Sequence, residues 1–235
     1  MKKSLIATAL VGLFTLSSAQ AATIVGFKVG GDIWKTDTSG TLIDGNVNQS
    51  FDYSSETSGS VWVSFEHPVP LLPNIKIREN RLDSQASVNF TGADKVYNNL
   101  NNTDFVLYYE LLDNDLVELD IGAAYKKMNG STRVDYKGSL VANTDIDSGV
   151  VMGYVSGYAS LPFFGLYGFA DLMQGIDESG VYDYSAGLGW NFENTIVDTR
   201  FRLGYREFNF DVNNFSGTTQ DTKFSGAFAG VELSF

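Results

Sequence analysis

Residues Thr199–Phe210, with the sequence TRFRLGYREFNF, decide the fold of this chain. Its even-numbered positions include Arg200, Arg202 and Arg206, while the odd-numbered positions from Phe201 to Tyr205 are all large and apolar or aromatic. A β-strand directs successive side chains to opposite faces, so this segment has one basic face and one apolar face. The pattern predicts a strand that separates two different environments.

The same alternation recurs along most of the chain. It predicts strands at residues 23–34, 60–66, 75–80, 104–111, 117–126, 149–161, 166–174, 182–192, 199–210 and 227–235. No long window has the period of an α-helix. Residues 149–161 and 166–174 are apolar in both phases, so the sequence predicts strands there without predicting their facing.

The connections between these segments alternate in length. Long connections rich in Asn, Asp, Ser, Thr and Gly, such as residues 35–57 and 81–102, alternate with short ones, and only residues 177–180 are short on the long side. This alternation is typical of outer-membrane barrels. We therefore predict an all-β fold, a closed antiparallel transmembrane β-barrel of about ten strands, with the long connections as loops. About eight strands is the alternative, if residues 149–174 fold differently.

The polar faces of the predicted strands carry seven basic and seven acidic residues. An enclosed lumen requires such charges to pair, whereas a solvated surface does not. Large apolar residues on the opposite faces, with aromatic residues toward both strand ends, suit a lipid environment. We therefore predict a lumen charge network formed by Lys28, Asp32, Glu66, Lys76, Arg78, Asp104, Glu110, Glu118, Asp120, Lys126, Arg200, Arg202, Arg206 and Glu232.

The N-terminal sequence predicts a secretory signal peptide over residues 1–21, which leaves residues 22–235 as one barrel domain. Lys2 and Lys3 precede a short apolar run, and residues 19–21 (AQA) have the small-x-small pattern of a cleavage site. The chain has no cysteine, so the fold uses no disulfide. Its formal net charge of −12 argues against nucleic acid as a partner.

The C-terminal residues 227–235 alternate small or apolar residues and end on Phe235. This pattern resembles the final strand of bacterial outer-membrane β-barrel proteins. Residues 25–40, VGFKVGGDIWKTDTSG, resemble the first strand and loop of a family of small proteobacterial outer-membrane barrel proteins of unassigned function. The resemblance implies the outer membrane of a Gram-negative bacterium, contact with its lipids, and recognition of Phe235 as an assembly signal by the barrel-assembly machinery.

The sequence offers little catalytic chemistry. His67 is the only histidine, and it lies in EHPVP at the short-turn end of a predicted strand. Barrel enzymes of the omptin or lipid-hydrolase kind depend on a base that titrates near neutral pH, so a surface enzyme is the weakest alternative. Residues 143–149, NTDIDSG, lack the glycine and glutamate that complete a calcium loop. We predict no catalytic residues, no metal site and no cofactor, while the acidic loops leave small solutes and divalent cations open as partners.

The lumen charges are compatible with two functions. Side chains fill most of the interior of a barrel of about eight to ten strands. A plugged lumen with a structural or surface-interaction role is therefore the leading prediction, and a narrow channel for small polar solutes is the alternative. In both cases the three arginines of Thr199–Phe210 fix the strand register, because a slip of one residue would turn them toward lipid.

Overall fold

The computed structural model describes residues 25–44, 47–69, 71–90, 93–114, 116–161, 164–194 and 197–235. The predicted signal peptide, residues 1–21, lies outside the described residues. In chain order the strands are β1 (Gly26–Asp44), β2 (Val47–Asp52), β3 (Glu56–Glu66), β4 (Asn74–Arg81), β5 (Asp83–Phe90), β6 (Ala93–Asn99), β7 (Asn102–Asp113), β8 (Val117–Met128), β9 (Gly130–Tyr136), β10 (Ser139–Ile146), β11 (Gly149–Ser160), β12 (Leu166–Gly175), β13 (Val181–Phe192), β14 (Asp198–Phe215) and β15 (Thr218–Ser234). Across these residues, no helix has the length and apolar character needed to span a membrane.

Ten of the strands form a closed antiparallel barrel in the order β1-β3-β4-β7-β8-β11-β12-β13-β14-β15. The last strand pairs back with the first, with Lys28 opposite Ser234 and Asp32 opposite Gly230. At the seam the Phe27 and Phe235 backbones exchange two hydrogen bonds, of 3.3 and 2.9 Å. The predicted closed barrel of ten strands is confirmed, and the eight-strand alternative is wrong.

The two segments of undecided facing are the full barrel strands β11 and β12. Met152, Tyr154 and Ser156 of β11 are buried inside, and Val151 and Val155 are exposed outside. In β12 the inward residues are Tyr167, Phe169, Asp171 and Met173. Both inward phases are rich in apolar and aromatic residues, which explains why alternation alone could not orient these strands.

The two ends of the barrel differ in construction. One end, here called the turn end, has the short connections at residues 67–73, 114–116, 161–165 and 193–197. The first residue of β1 and the last residue of β15 also lie at this end. At the other end β1, β14 and β15 continue beyond the barrel, β2 pairs with β1, and a separate four-stranded sheet has the order β5-β6-β9-β10. We call β2, β5, β6, β9 and β10, with residues 36–44 and 211–221, the crown.

The crown corrects one expectation from the sequence. The long connections were expected to be loops, yet the described parts of three of them contain strands β2, β5, β6, β9 and β10. Strands β5 and β6 bury alternate residues, but these buried positions include the polar Ser84 and Asn98 as well as the apolar Ala86 and Val96, so the apolar–polar alternation that marks a membrane strand is absent. Backbone pairing organises these segments, together with a small buried apolar cluster around Ala86 and Val96.

The outer surface of the barrel is apolar. The side chains of Ile33, Leu188 and Leu203 are 69, 68 and 67% exposed. Aromatic residues lie toward the two ends of the strands and are also exposed. Those toward the turn end are Phe65, Tyr109, Trp190, Phe192 and Phe235, and those toward the crown are Tyr125 and Tyr205. This arrangement matches an apolar belt bounded by aromatic girdles.

The interior changes character along the barrel axis, which the sequence interpretation did not anticipate. On β14 the inward positions Arg200, Arg202 and Arg206 are followed by the fully buried Phe208 and Phe210. Together with other strands these phenylalanines form an apolar layer between the charged lumen and the crown. Its members are Trp34, Leu82, Leu100, Met128, Ile146, Val150, Met152, Val181, Phe208, Phe210, Val212 and Phe224.

Candidate functional site

The lumen is the candidate site, because the inward phase of the strands brings the predicted charges together there. All fourteen predicted residues lie in the phase that faces inward, and their lipid-side neighbours on the same strands are largely apolar. They divide into three groups along the barrel: a central network, an arginine site and the mouth at the turn end.

The central network is organised around Asp183 of β13. Its carboxylate accepts hydrogen bonds from Arg206 at 2.7 Å, Arg78 at 2.9 Å and Lys126 at 3.3 Å. A second carboxylate, Asp104, pairs with Arg78 at 2.9 Å and with Lys126 at 2.7 Å. Three cations therefore share two acids, and each cation that contacts Asp183 comes from a different strand.

Two asparagines complete this network. Arg206 donates to Asn80 at 2.9 Å, Asn80 donates to Asn102 at 2.8 Å, and Lys126 donates to Asn102 at 3.0 Å. Burying a charge is costly unless it is paired and its remaining donors are bonded. The asparagines satisfy donors that the two carboxylates do not reach, so the network closes the middle of the lumen with polar side chains.

The arginine site surrounds Arg202 of β14. Its guanidinium donates to Asp171 at 2.9 Å and lies 4.0 Å from Asp32. Ser156 donates to the other oxygen of Asp171 at 2.7 Å. The guanidinium also lies 4.5 Å from the centre of the Phe169 ring, and the Trp62 and Phe228 rings lie within cation–π distance. Arg202 is thus held by acids and by aromatic rings.

The mouth at the turn end is more acidic. Lys28 pairs with Glu66 at 2.7 Å. Arg200 donates to Glu118 and lies 3.6 Å from Glu232. Two further acids, Glu110 and Asp120, lie opposite each other across β7 and β8. Among the described residues no basic side chain is within ion-pair distance of either.

Lys76 differs from the other lumen cations. It forms no ion pair with any residue that the structure describes, and its Nζ lies 5.6 Å from the centre of the Trp62 ring. Its side chain lines a cavity of about 330 Å³, a volume that includes the solvent at its opening, together with Ser64, Tyr154 and Tyr158. We call this cavity the vestibule.

Sequence reasoning missed two residues of the lumen, Asp171 and Asp183. With them the inward acids number nine against seven basic residues, so the equal balance that supported the lumen prediction does not hold. The missed acids lie in β12 and β13, where the other residues on the same face of the strand are aromatic, apolar or small. Their isolation as single acids within otherwise uncharged strands was the available signal.

His67 takes part in a turn. Its Nδ1 accepts a hydrogen bond from the Val69 backbone at 3.2 Å, and its Nε2 lies 3.2 Å from the Pro73 carbonyl. Both ring nitrogens therefore hold the β3–β4 connection together. Within the described residues, no three acidic or histidine side chains are arranged to hold a metal ion.

The two surfaces of the barrel decide where the chain resides. Lipid offers no partner to backbone N–H and C=O groups, so a chain that crosses it with strands must close them into a barrel. Here a closed barrel has an apolar outer belt with aromatic ends, while its charges face inward. The chain is an outer-membrane β-barrel. Barrels of this construction belong to the outer membrane of Gram-negative bacteria and cross it several times.

The comparisons with known proteins concern the fold of this outer-membrane barrel. No family model and no curated protein matches the chain. Among solved structures, the outer membrane protease OmpT from Escherichia coli matches at 11% identity and a TM-score of 0.49, covering 92% of this chain and 100% of that chain. The translocator domain of the autotransporter NalP from Neisseria meningitidis matches at 13% identity and a TM-score of 0.48, with coverage of 98% and 96%. Neisserial surface protein A matches at 12% identity and a TM-score of 0.37, with coverage of 89% and 97%.

Proposed function

We propose that the protein is a closed barrel that anchors its crown at the cell surface, in a structural or surface-interaction role. The observation that carries this proposal is the filled lumen. Asp183, Arg206 and Lys126 close its middle, and Phe208 and Phe224 belong to the apolar layer that closes it toward the crown. We place the turn end in the periplasm and the crown outside, as in outer-membrane barrels with short periplasmic turns.

The two layers support closure for different physical reasons. The side chains of the central network hold one another through ion pairs that screening by salt weakens little, because they are buried. The apolar layer offers no hydrogen-bond partner to water or to an ion. A solute would have to displace both layers, at the cost of leaving buried charges unpaired.

Conductance in a planar lipid bilayer tests the closed barrel. We expect the full chain, folded into the bilayer, to give no ohmic current steps. The combined variant Phe208→Ala, Phe210→Ala, Phe224→Ala removes the aromatic side chains of the apolar layer and should give small steps. Phe201→Ala, on the lipid face of the same strand, is the matched control and should stay silent.

The same measurement can also contradict the closed barrel. Ohmic steps from the unmodified chain, with a size or ion selectivity that changes in Arg202→Ala, would overturn the closed barrel. Arg202 is suited to this test because its guanidinium is buried in the lumen, in contact with Asp171 and with three aromatic rings.

A narrow channel for small polar solutes is the second candidate, and the vestibule favours it. The vestibule is lined by Lys76, Asp120 and Arg200, so polar groups of both signs meet solvent there. Lys76 and Tyr154 also line a second cavity, next to Asp171 and Asp183, with room for about one water molecule. The two spaces share Lys76 and Tyr154 as lining residues and would form the first part of a path, which the same conductance measurement detects.

The proposal includes no enzymatic activity. The engagement of both His67 nitrogens in a turn supports this, since a catalytic base needs a nitrogen that is free to accept a proton. Loss of a hydrolytic activity in His67→Ala would be needed to support a surface enzyme.

The proposed partners follow from the surfaces of the barrel. The outward apolar residues suit outer-membrane lipids, and Phe235 at the seam suits recognition by the barrel-assembly machinery. Acidic residues of the crown suit loose binding of divalent cations or small solutes. Membership in the small proteobacterial barrel family of unassigned function, suggested by residues 25–40, is part of the same proposal.

A further inference from the structure

The crown is interrupted at one place. Strands β12 and β13 are joined by the short connection at residues 176–180, where the Ile176 backbone bonds to Val151 and the Asp211 backbone bonds to Gly180. On either side of this connection a hairpin extends farther from the barrel. These are the β9–β10 hairpin on one side and the end of the β14–β15 hairpin on the other. We call the space above residues 176–180, between β10 and residues 212–215, the notch.

The size of the notch follows from the strand order. Strand β10 leads into β11, and β14 follows β12 and β13 in the barrel. Neighbouring strands lie about 4.8 Å apart, so at the rim of the barrel three intervals separate β11, which continues from β10, from β14 by about 14 Å. The two strands that would fill this distance, β12 and β13, end below it. The notch therefore has room for added strands.

One wall of the notch is an open strand edge. Strand β10 is the last strand of the four-stranded crown sheet, and among the described residues it pairs only with β9. Residues 139–143 are all exposed, with Leu140 and Val141 exposed by 57 and 59%. An exposed edge presents unpaired backbone groups to any other extended chain. Residues 139–146 contain neither lysine nor proline, which commonly protect such an edge, and its one irregularity is a register shift at Val141, between Leu140 and Ala142.

The opposite edge of the same sheet is covered. On β5 the Gln85 carbonyl accepts hydrogen bonds from the backbone and hydroxyl of Ser54, at 2.9 and 3.0 Å. Leu42 and Tyr53 pack against Ala86 of β5 in a small apolar cluster. The protein thus closes one edge of the crown sheet with its own chain and leaves the other open beside the notch.

The charges around the notch indicate which charge a binding partner would need. Acidic residues lie at the base of the open edge, on the floor and on the far wall: Asp145, Asp147, Asp177, Glu178 and Asp211. Lys127 pairs with Asp147 and so adds no free positive charge. Arg133 of β9, opposite Asn143, pairs with Asp135 at 2.7 Å, and Lys137 lies at the far tip of the β9–β10 hairpin against the ring of Tyr136. A second copy of this chain would bring the same acidic surface, so the acidic notch disfavours self-association.

We propose that the notch is a docking site for an extended, basic segment of a partner protein, which adds to β10 as a further antiparallel strand. The proposal names the surface used in the interaction role proposed above, and it rests on that role. Backbone hydrogen bonds to β10 would supply affinity, while Leu140 and Val141 and the acids around them would select a segment that alternates apolar with basic residues.

Binding of a synthetic peptide to the full chain in lipid nanodiscs tests this site. The probe is a short acetylated, amidated peptide in which valine alternates with lysine, labelled for fluorescence anisotropy. The matched peptide with glutamate in place of lysine tests the charge. We expect the lysine peptide to bind at least tenfold more tightly than the glutamate peptide, because several acids contribute and each exposed pair is worth up to about fivefold.

Variants of the chain locate the site. Asp145→Lys together with Asp177→Lys should weaken binding of the lysine peptide by about tenfold, from the same contribution per pair. Val141→Lys, which places a charge on the open edge itself, should also weaken it. Asp83→Lys, a charge reversal on the covered edge strand β5, is the control and should leave affinity unchanged.

Hydrogen exchange measured with and without the peptide tests strand addition directly. We expect slower exchange of backbone amides in residues 139–146 and unchanged exchange in residues 83–90. Equal affinity of the two peptides, unchanged affinity in the double variant, or no protection of residues 139–146 would each overturn the docking site. These outcomes leave the conductance result untouched, so a failure of this inference and a failure of the closed barrel are distinguishable.

Discussion

At the scale of single residues, Asp183 contacts more basic side chains than any other carboxylate in the described part of the chain. One carboxylate contacts Arg78, Lys126 and Arg206, which come from three other strands. The site is shielded from solvent, since Asp183, Lys126 and Arg206 are each at most 3% exposed. Without Asp183 and Asp104 the three buried positive charges would repel one another, with no acid in contact to balance them.

Asp183→Asn should therefore be strongly destabilising. The change leaves Asp104 as the only acid in contact with the network cations, and breaking a buried ion pair costs about 3–5 kcal/mol. Urea unfolding of the barrel in lipid vesicles, followed by tryptophan fluorescence, measures the loss of free energy of unfolding. The control is Asp147→Asn, which removes an exposed partner of Lys127 and should change that free energy by less than about 1 kcal/mol. Similar losses in both variants would contradict the role assigned to Asp183.

The residues of the lumen were predictable to the extent that their strands alternate cleanly. Lys28, Asp104 and Arg206 alternate with apolar neighbours, so their phase identified them as inward. Asp183 lies opposite the aromatic face of β13, in a phase of small residues such as Ser185 and glycine, so its orientation followed from the period but its role as the single charge of that face was missed. The contacts among these charges depend on tilt and register across several strands, which no single segment encodes.

At the scale of the element, β14 crosses three environments in one strand. Arg200 to Arg206 line the lumen, Phe208 and Phe210 belong to the apolar layer, and residues 211–215 rise into the crown. The lumen and the apolar layer each fix the register of β14. A slip of one residue would turn the arginines toward lipid and would turn the phenylalanines to the outer surface of the barrel. Residues Thr199–Phe210 therefore contain the boundary between the charged lumen and the apolar layer.

The β14–β15 hairpin contains a repulsive pair that can be reversed. Asp211 lies directly opposite Asp221, and burial together with Asp211 raises the pKa of Asp221. Asp221→Lys should stabilise the hairpin by up to about 1 kcal/mol, because an opposite-charge pair replaces a like-charge pair. Slower hydrogen exchange of residues 211–221 would register the gain.

The pH dependence provides the control for this hairpin. In the parent chain the repulsion is fully present above the raised pKa of Asp221 and disappears as the pH falls below the ordinary range of an aspartate. Exchange in the parent hairpin should therefore slow on mild acidification relative to Asp221→Lys. Asp221→Asn should give an intermediate result at neutral pH. Faster exchange in Asp221→Lys than in the parent would contradict the assigned repulsion.

The crown shows where prediction of elements from sequence ends. Strands β9 and β10 consist largely of polar residues, and residues 139–143 are exposed without any alternation. Residues with strand propensity, such as Val134, Tyr136 and Val141, are present but do not alternate with polar residues in a pattern that marks a face. A membrane strand is detectable because lipid and lumen impose opposite chemistry on its faces, whereas water on both faces imposes none.

At the scale of the whole molecule, the protein is apolar outside and charged within, and its tryptophans report both sides. Trp34 and Trp62 are 1 and 3% exposed within the barrel, whereas Trp190 is 48% exposed on the outer surface. The chain has three tryptophans, so fluorescence can assign each surface without added labels.

Lipids brominated on the acyl chain should quench only the tryptophan that faces them. We expect quenching of the folded barrel to disappear in Trp190→Phe, since Trp34 and Trp62 are enclosed by the barrel wall. Trp34→Phe is the control and should retain the quenched component. Quenching that persists in Trp190→Phe would mean that a lumen tryptophan reaches lipid, which contradicts the facing of β1 or β3.

The seam between β1 and β15 also bears on chain connectivity. Because Phe27 and Phe235 exchange backbone hydrogen bonds, the first and last strands end side by side, and a few added residues could link them. New ends could then be opened at another turn of the same barrel end, such as residues 114–116. Such a circular permutant would keep every strand pairing of the barrel while moving Phe235 away from the chain terminus. It would thereby separate the packing of Phe235 in the finished barrel from the terminal assembly signal that we propose for this residue.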